Sequence, residues 1–134
     1  MSMNRIILLA ASMALVACFH FGPTAERFPL AAGPNGATVN ATLVSGGAVG
    51  GELLSVRDDG VVLLRGGKLV LAPYASLREL KVNQLGDYSL GAGTPSAERR
   101  ARLTIISRYP QGINAELQKK LLAQSAQTEL EVVR

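Results

Sequence analysis

The chain has 134 residues, is 48% hydrophobic, and carries 14 basic against 10 acidic side chains for a net charge of +4. That length suits one domain burying roughly two thirds of its unfolded surface, and so mild a basic excess does not require a polyanionic partner. Aromatic residues make up 4% and tryptophan is absent, so the core must be aliphatic; the single cysteine, Cys18, excludes an internal disulfide.

Met1 to Ala17 has the three parts of a secretory signal: Arg5 as positive start, Ile6–Leu15 as apolar centre, and small residues near the end. The apolar run is shorter than the about 20 residues a spanning helix needs, so it targets the membrane without crossing it. It ends in Leu15-Val16-Ala17-Cys18, which resembles the lipobox of bacterial lipoproteins. The resemblance implies that residues 1–17 are removed and that Cys18 becomes the first residue, bearing a diacylglycerol thioether and an acyl chain on its new amino group. A thiol is the nucleophile such a transfer needs. One acyl chain holds weakly, at about 0.8 kcal/mol per buried methylene, whereas two or three anchor stably. In enterobacterial lipoproteins an Asp after the cysteine favours inner-membrane retention; Phe19 stands there instead, so the outer membrane, facing the periplasm, is the expected location.

Residues 18–36 contain Gly22, Pro23, Pro29, Gly33, Pro34 and Gly36 without periodicity, the composition of a flexible tether. His20, the only histidine, sits two residues from the lipid and is poorly placed for catalysis or for a metal. Asn40-Ala41-Thr42 matches a glycosylation acceptor, but it falls inside a predicted strand, and a bacterial lipoprotein of the kind the lipobox resembles would not normally meet that machinery.

Residues 37–84 read as five short strands. The first, Ala37–Val44, places Val39, Ala41 and Leu43 on one face. The second, Val49–Arg57, directs Leu54 and Val56 inward, with Gly50-Gly51 as bulge or corner. Asp58-Asp59-Gly60 predicts a hairpin with left-handed backbone angles. Strands Val61–Arg65 and Lys68–Ala72 flank Gly66-Gly67; Pro73 stops the fourth strand, and Tyr74-Ala75-Ser76 fits one helical turn before the fifth, Leu77–Val82.

This pattern, and the run Gly51-Glu52-Leu53-Leu54-Ser55-Val56-Arg57-Asp58-Asp59 in particular, resembles the small barrels of Sm-like and Src-homology-type proteins. The resemblance implies a five-stranded antiparallel barrel. Sm-like proteins read RNA with an Asn after the acidic pair and an Arg-Gly step before the last strand; here Val61 or Val62, and Pro73-Tyr74, stand in those places. Nucleic-acid binding by analogy with Sm-like proteins is therefore only a minor alternative, and nucleic acid is not an expected partner. Gly66-Gly67-Lys68 lacks the rest of a phosphate loop, and Asp58-Asp59 offers too few oxygens for calcium. No metal or other cofactor is expected.

Residues 85–94 form a linker, and 95–134 a helical hairpin with a short terminal strand. Thr94 is the predicted N-cap of a helix over Pro95–Arg108, with Leu103, Ile105 and Ile106 as its apolar side. Asn114 caps a second helix to about Gln127, with Leu117, Leu121 and Leu122 as stripe and Glu116–Lys120 as a one-turn pair. Thr128–Val133 alternates like a strand. So short a hairpin cannot bury its stripe alone and is expected to cap an open end of the barrel.

The fold class is thus mainly β with C-terminal helices. Arg99, Arg100, Arg102, Arg108, Lys119 and Lys120 make the helical part the basic end. Two readings apply: contact with anionic headgroups or an envelope polymer, or a solvated helix face, which charge runs more often are. The chain reads as a lipid-anchored envelope protein without catalysis, a binding or structural module for an envelope protein or polymer. Small barrels commonly bind such partners along strand edges. An envelope enzyme using carboxylates or a Ser/Lys pair is the alternative, with no motif marking it.

Overall fold

The structure, a computed structural model, describes residues 35–83 and 89–134. The leader, Cys18, His20 and the tether up to residue 34 lie outside the described residues, as does the connector stretch 84–88. The strands are β1 (Thr38–Leu43), β2 (Ala48–Val56), β3 (Gly60–Arg65), β4 (Lys68–Pro73), β5 (Leu77–Val82), β6 (Ser89–Leu90) and β7 (Glu131–Val132). A 3₁₀ turn, Tyr74–Ser76, joins β4 to β5, and two helices, α1 (Ala97–Ile105) and α2 (Ala115–Gln124), precede β7.

All five expected strands form, together with the turn before the last. They do not close into a five-stranded barrel. They belong to one seven-stranded sheet ordered β6-β5-β1-β2-β3-β4-β7, antiparallel except for the β4–β7 pair. The edge of β4 that would have met β5 is occupied by β7, and the outer edge of β5 by β6. The connector thus contributes a strand: Leu90 is buried opposite Leu80 because its side chain completes the core.

Alternation in β1 holds, with Val39, Ala41 and Leu43 buried together. In β2 the irregularity lies between Leu53 and Ser55 rather than at Gly50-Gly51, which pair in regular register with Asn40 and Val39. The extra residue reverses the strand's faces. Leu53 therefore enters one core with Val56 packed against it, whereas Leu54 points into the other, contrary to the expected inward pair Leu54 and Val56.

The near-continuous apolar runs of β3 and β4 are explained by these two cores, since strands covered on both faces lose their polar alternation. Val61, Leu63 and Ala72 join the first core with Leu103 and Ile106 from the α1 region; Val62, Leu69 and Leu54 join the second with Leu122 of α2. The helices accordingly pack on opposite faces of the sheet, and do not form one hairpin capping one end. Each short helix has too little apolar surface to be stable alone, and each finds a separate apolar face to cover.

Turn chemistry holds at Gly66-Gly67, both at positive φ (56° and 78°), as a two-residue hairpin of this hand demands. It differs at Asp58-Asp59-Gly60, where none of the three residues adopts left-handed angles. Helix α1 begins two residues later than expected: Ser96, not Thr94, is the N-cap, its Oγ accepting from Arg99 N–H at 3.3 Å. For α2 the cap is as expected, Asn114 Oδ1 accepting from Leu117 N–H at 2.8 Å.

Helix α2 stops three residues short of Gln127 in a Schellman motif, with Gln127 N–H on Leu122 O at 2.8 Å and Ala126 N–H on Ala123 O at 3.2 Å. Ala126 takes the left-handed position at φ 54°, where glycine carries no side-chain penalty. Ala126→Gly should therefore raise unfolding stability by about 0.5–1 kcal/mol in denaturant titration. In the same assay Leu53→Ala, a fully buried truncation, should lower it by about 2–5 kcal/mol.

Candidate functional site

The six basic residues do not form one surface. Arg99, Arg100 and Arg102 lie on α1, Lys119 and Lys120 on α2, across the sheet from it, and Arg108 lies in the segment that follows α1. Several are already engaged. Arg102 Nη2 meets Glu98 at 2.6 Å and Lys120 meets Glu116 at 3.3 Å, both one-turn pairs on helix surfaces. Arg100 donates to Pro95 O at 2.6 Å and lies 3.9 Å from Asp58. Arg99 and Lys119 are exposed, and among the described residues neither has a charge partner.

Arg108 is different in kind. Its Nε donates to Glu52 Oε1 at 2.7 Å and its Nη2 to Glu52 Oε2 at 2.6 Å, a bidentate pair in which the two side chains keep 27% and 17% of their exposure. This fork-to-carboxylate geometry is among the stronger charge-assisted contacts. The hydrogen bond to Glu52 pushes the guanidinium pKa above its ordinary range, against the pull of burial. Arg108 is therefore a structural cation, with its donors turned inward, rather than part of a contact face.

Around this pair three segments meet. Glu52 Oε1 also accepts from Gly36 N–H at 2.6 Å, and Arg108 Nη2 also donates to Asn35 Oδ1 at 3.1 Å. Backbone bonds run alongside: Ala37 N–H to Ile106 O at 2.9 Å, Leu53 N–H to Ala37 O at 2.8 Å, Arg108 N–H to Leu53 O at 3.0 Å and Tyr109 N–H to Leu54 O at 2.9 Å. A Cβ at Gly36 would run into the Leu53 carbonyl and the Arg108 amide, so the approach requires glycine. The chain thus enters the domain through a clamp built from β2 and the residues after α1. The same clamp explains why α1 ends at Ile105 and not at Arg108, since the amides of Arg108 and Tyr109 are committed to β2.

The only signal of this junction in the sequence is Glu52 itself, a carboxylate amid an apolar strand, which asks for a partner. Nothing local identifies Arg108 as that partner, 56 residues away.

A second polar node holds the β2–β3 turn. Tyr74, 2% exposed, donates its hydroxyl to Arg57 O at 2.8 Å, and its N–H bonds Asp59 O at 3.0 Å. Arg57 Nε pairs with Asp59 Oδ1 at 3.0 Å on the surface above. Burial pushes the Tyr74 phenol up to about 12; the Arg100 cation opposes this, and the Asp59 and Asp58 carboxylates add to it. At neutral pH this phenol is a fixed donor and not an acid or base. Among the described residues no group of three or more His, Cys, Asp or Glu is placed to hold a metal ion, and no helix is long and apolar enough to cross a membrane.

No protein-family model, curated protein or solved structure matches this chain.

Two outcomes follow from the two nodes. Arg108→Ala leaves Glu52 without its charge partner, and unfolding stability should fall by about 2–3 kcal/mol, whereas the double change Glu52→Gln/Arg108→Met should cost much less than the sum of the single changes. For Tyr74, an unfolded phenol loses its proton near pH 10 and the folded one near 12, so the folded state favours the protonated form. Its contribution is fully present below about pH 10 and lost as pH rises through about 12. Absorbance titration should show a late tyrosinate that is absent in Tyr74→Phe, a variant that should also show a shallower alkaline loss of stability.

Proposed function

We propose that this chain is a bacterial envelope lipoprotein, anchored through Cys18 and presenting a small, non-catalytic β domain as a binding or structural module. The observation that carries the reading is Leu15-Val16-Ala17-Cys18 placed directly after a charged start and an apolar run. Residue type, spacing and position agree with what lipid transfer to a thiol requires. The tether then gives reach away from the bilayer, and the Glu52–Arg108 clamp gives it a firm attachment to the domain. Phe19 after the cysteine favours the outer membrane, on its periplasmic side.

The β domain belongs in this proposal as a barrel-like scaffold of Sm-like or Src-homology type. The return of β5 onto β1 and the 3₁₀ turn between β4 and β5 support that likeness. Strand-edge binding, the mode such folds commonly use, has less room here, because β6 and β7 occupy part of the outer edges. Of the six basic residues, Arg99 and Lys119 retain donors for an anionic headgroup or polymer, each on a different helix.

Cys18→Ala should abolish both membrane fractionation and incorporation of labelled fatty acid; fractionation unchanged by the substitution would overturn the lipoprotein reading. In-cell crosslinking of the wild-type chain should then capture an envelope protein or polymer in place of a turned-over substrate. Hydrolysis or transfer of an acyl or glycan substrate by the purified chain would overturn the non-catalytic reading.

A further inference from the structure

The outer edge of β4 is covered in pieces. The Gln127 carboxamide stands in for a peptide unit, Oε1 accepting from Leu69 N–H at 2.7 Å and Nε2 donating to Leu69 O at 3.0 Å. Beyond it Val70 and Leu71 pair in parallel with Glu131 and Val132, and Val133 N–H donates to Leu71 O at 2.9 Å. Only Leu130 and Val133 of this segment pack inward, on the second and first cores respectively; Thr128, Glu129, Glu131, Val132 and Arg134 are exposed. A strand of two residues is thus held by few contacts, and all of them lie beyond one hinge. That hinge is Ala126, the one residue other than glycine at positive φ among the described residues.

We propose that the outer edge of β4 is an exchange site for a second copy of this chain, whose residues 127–134 take the place of the resident ones. The fit of the occupant is already established, because the incoming segment carries the same Gln127, Leu130 and Val133 that seat the resident one. Exchange remakes the contacts of the segment with β4 and lets Ala126 leave its left-handed conformation, which relieves the hinge strain at the loss of the Ala126 and Gln127 N–H bonds to the end of α2. The surroundings suit a second copy as well. Among the described residues Val44 and Val132 are the exposed large hydrophobic ones, at 56% and 48%, and Ser45 Oγ donates to Arg134 O at 3.3 Å, which brings the β1–β2 turn beside the segment. Two copies meeting here would cover apolar surface that one copy leaves in water.

The test uses the full chain in a Cys18→Ser background, so that thiols occur only where they are introduced. Leu71→Cys and Val132→Cys variants are made separately, mixed, and treated with a short thiol-to-thiol crosslinker; these positions are register partners. The double variant Leu71→Cys/Val132→Cys, treated at high dilution, should give an intrachain product, which shows that the pair is folded and within reach. The mixture should give a crosslinked heterodimer that grows with protein concentration. Adding Ala126→Gly to both copies should lower its yield by about five-fold per copy, by removing the hinge strain. An intrachain product without any heterodimer would overturn the proposal. So would an equal yield from Leu71→Cys mixed with Arg99→Cys, which reads random collision, and so would loss of the intrachain product, which removes the pairing on which exchange rests.

Discussion

One carboxylate sets the arrangement of this domain. Glu52 is the one charged residue of β2, where an unpaired charge would cost several kcal/mol of desolvation. Its needs are met by Arg108 from beyond α1 and by the Gly36 amide from the incoming chain. Three stretches far apart in sequence are thereby held at one point, and the backbone bonds of Ala37, Leu53, Arg108 and Tyr109 follow from their alignment. The end of α1, the placement of the residues before β1 and the position of the segment leading to α2 all depend on that pair.

The sheet then divides the aliphatic residues between two faces. A chain this poor in aromatic residues has few large anchors; among the described residues Tyr74 is fully buried in the first core, with its hydroxyl satisfied by Arg57 O, and Tyr109 packs against the second. The bulge between Leu53 and Ser55 lets β2 serve both cores. Helices α1 and α2 cover one face each, which suits their short apolar stripes better than a shared hairpin would. Where an open sheet leaves edges, β6, β7 and the Gln127 side chain meet the exposed backbone, which limits edge-to-edge association with foreign strands.

This organisation bears on function by removing candidates as much as by supplying them. Arg108 is turned inward, Arg102 and Lys120 are paired on their own helices, and the two helices face apart, so the basic end expected from charge alone is not a single patch. The proposed location rests on the motif ending at Cys18, outside the described residues. The domain's own contribution is a two-faced sheet with the residues before β1 clamped to β2 by Glu52 and Arg108, and a short β7 that follows Ala126 at positive φ.

Much of this was legible in the residues. Strand positions follow from period-two alternation and glycine turns, helix existence from Asn114 and the leucine spacing, and a lipid anchor is expected from four residues after an apolar run. These are local signals, set by backbone sterics and by neighbours within one turn or hairpin. What only the tertiary structure decided was non-local. The bulge moved Leu54 to the other face, Ser96 displaced Thr94 as cap, β7 took the edge that a closed barrel would have given to β5, and Glu52 found Arg108. Each of these turns on which backbone groups and apolar faces remain unsatisfied once the chain has collapsed, and no short window of sequence carries that information. Alternation reports that a residue faces a core, but not which of two cores, because period two is the same on both faces of a sheet.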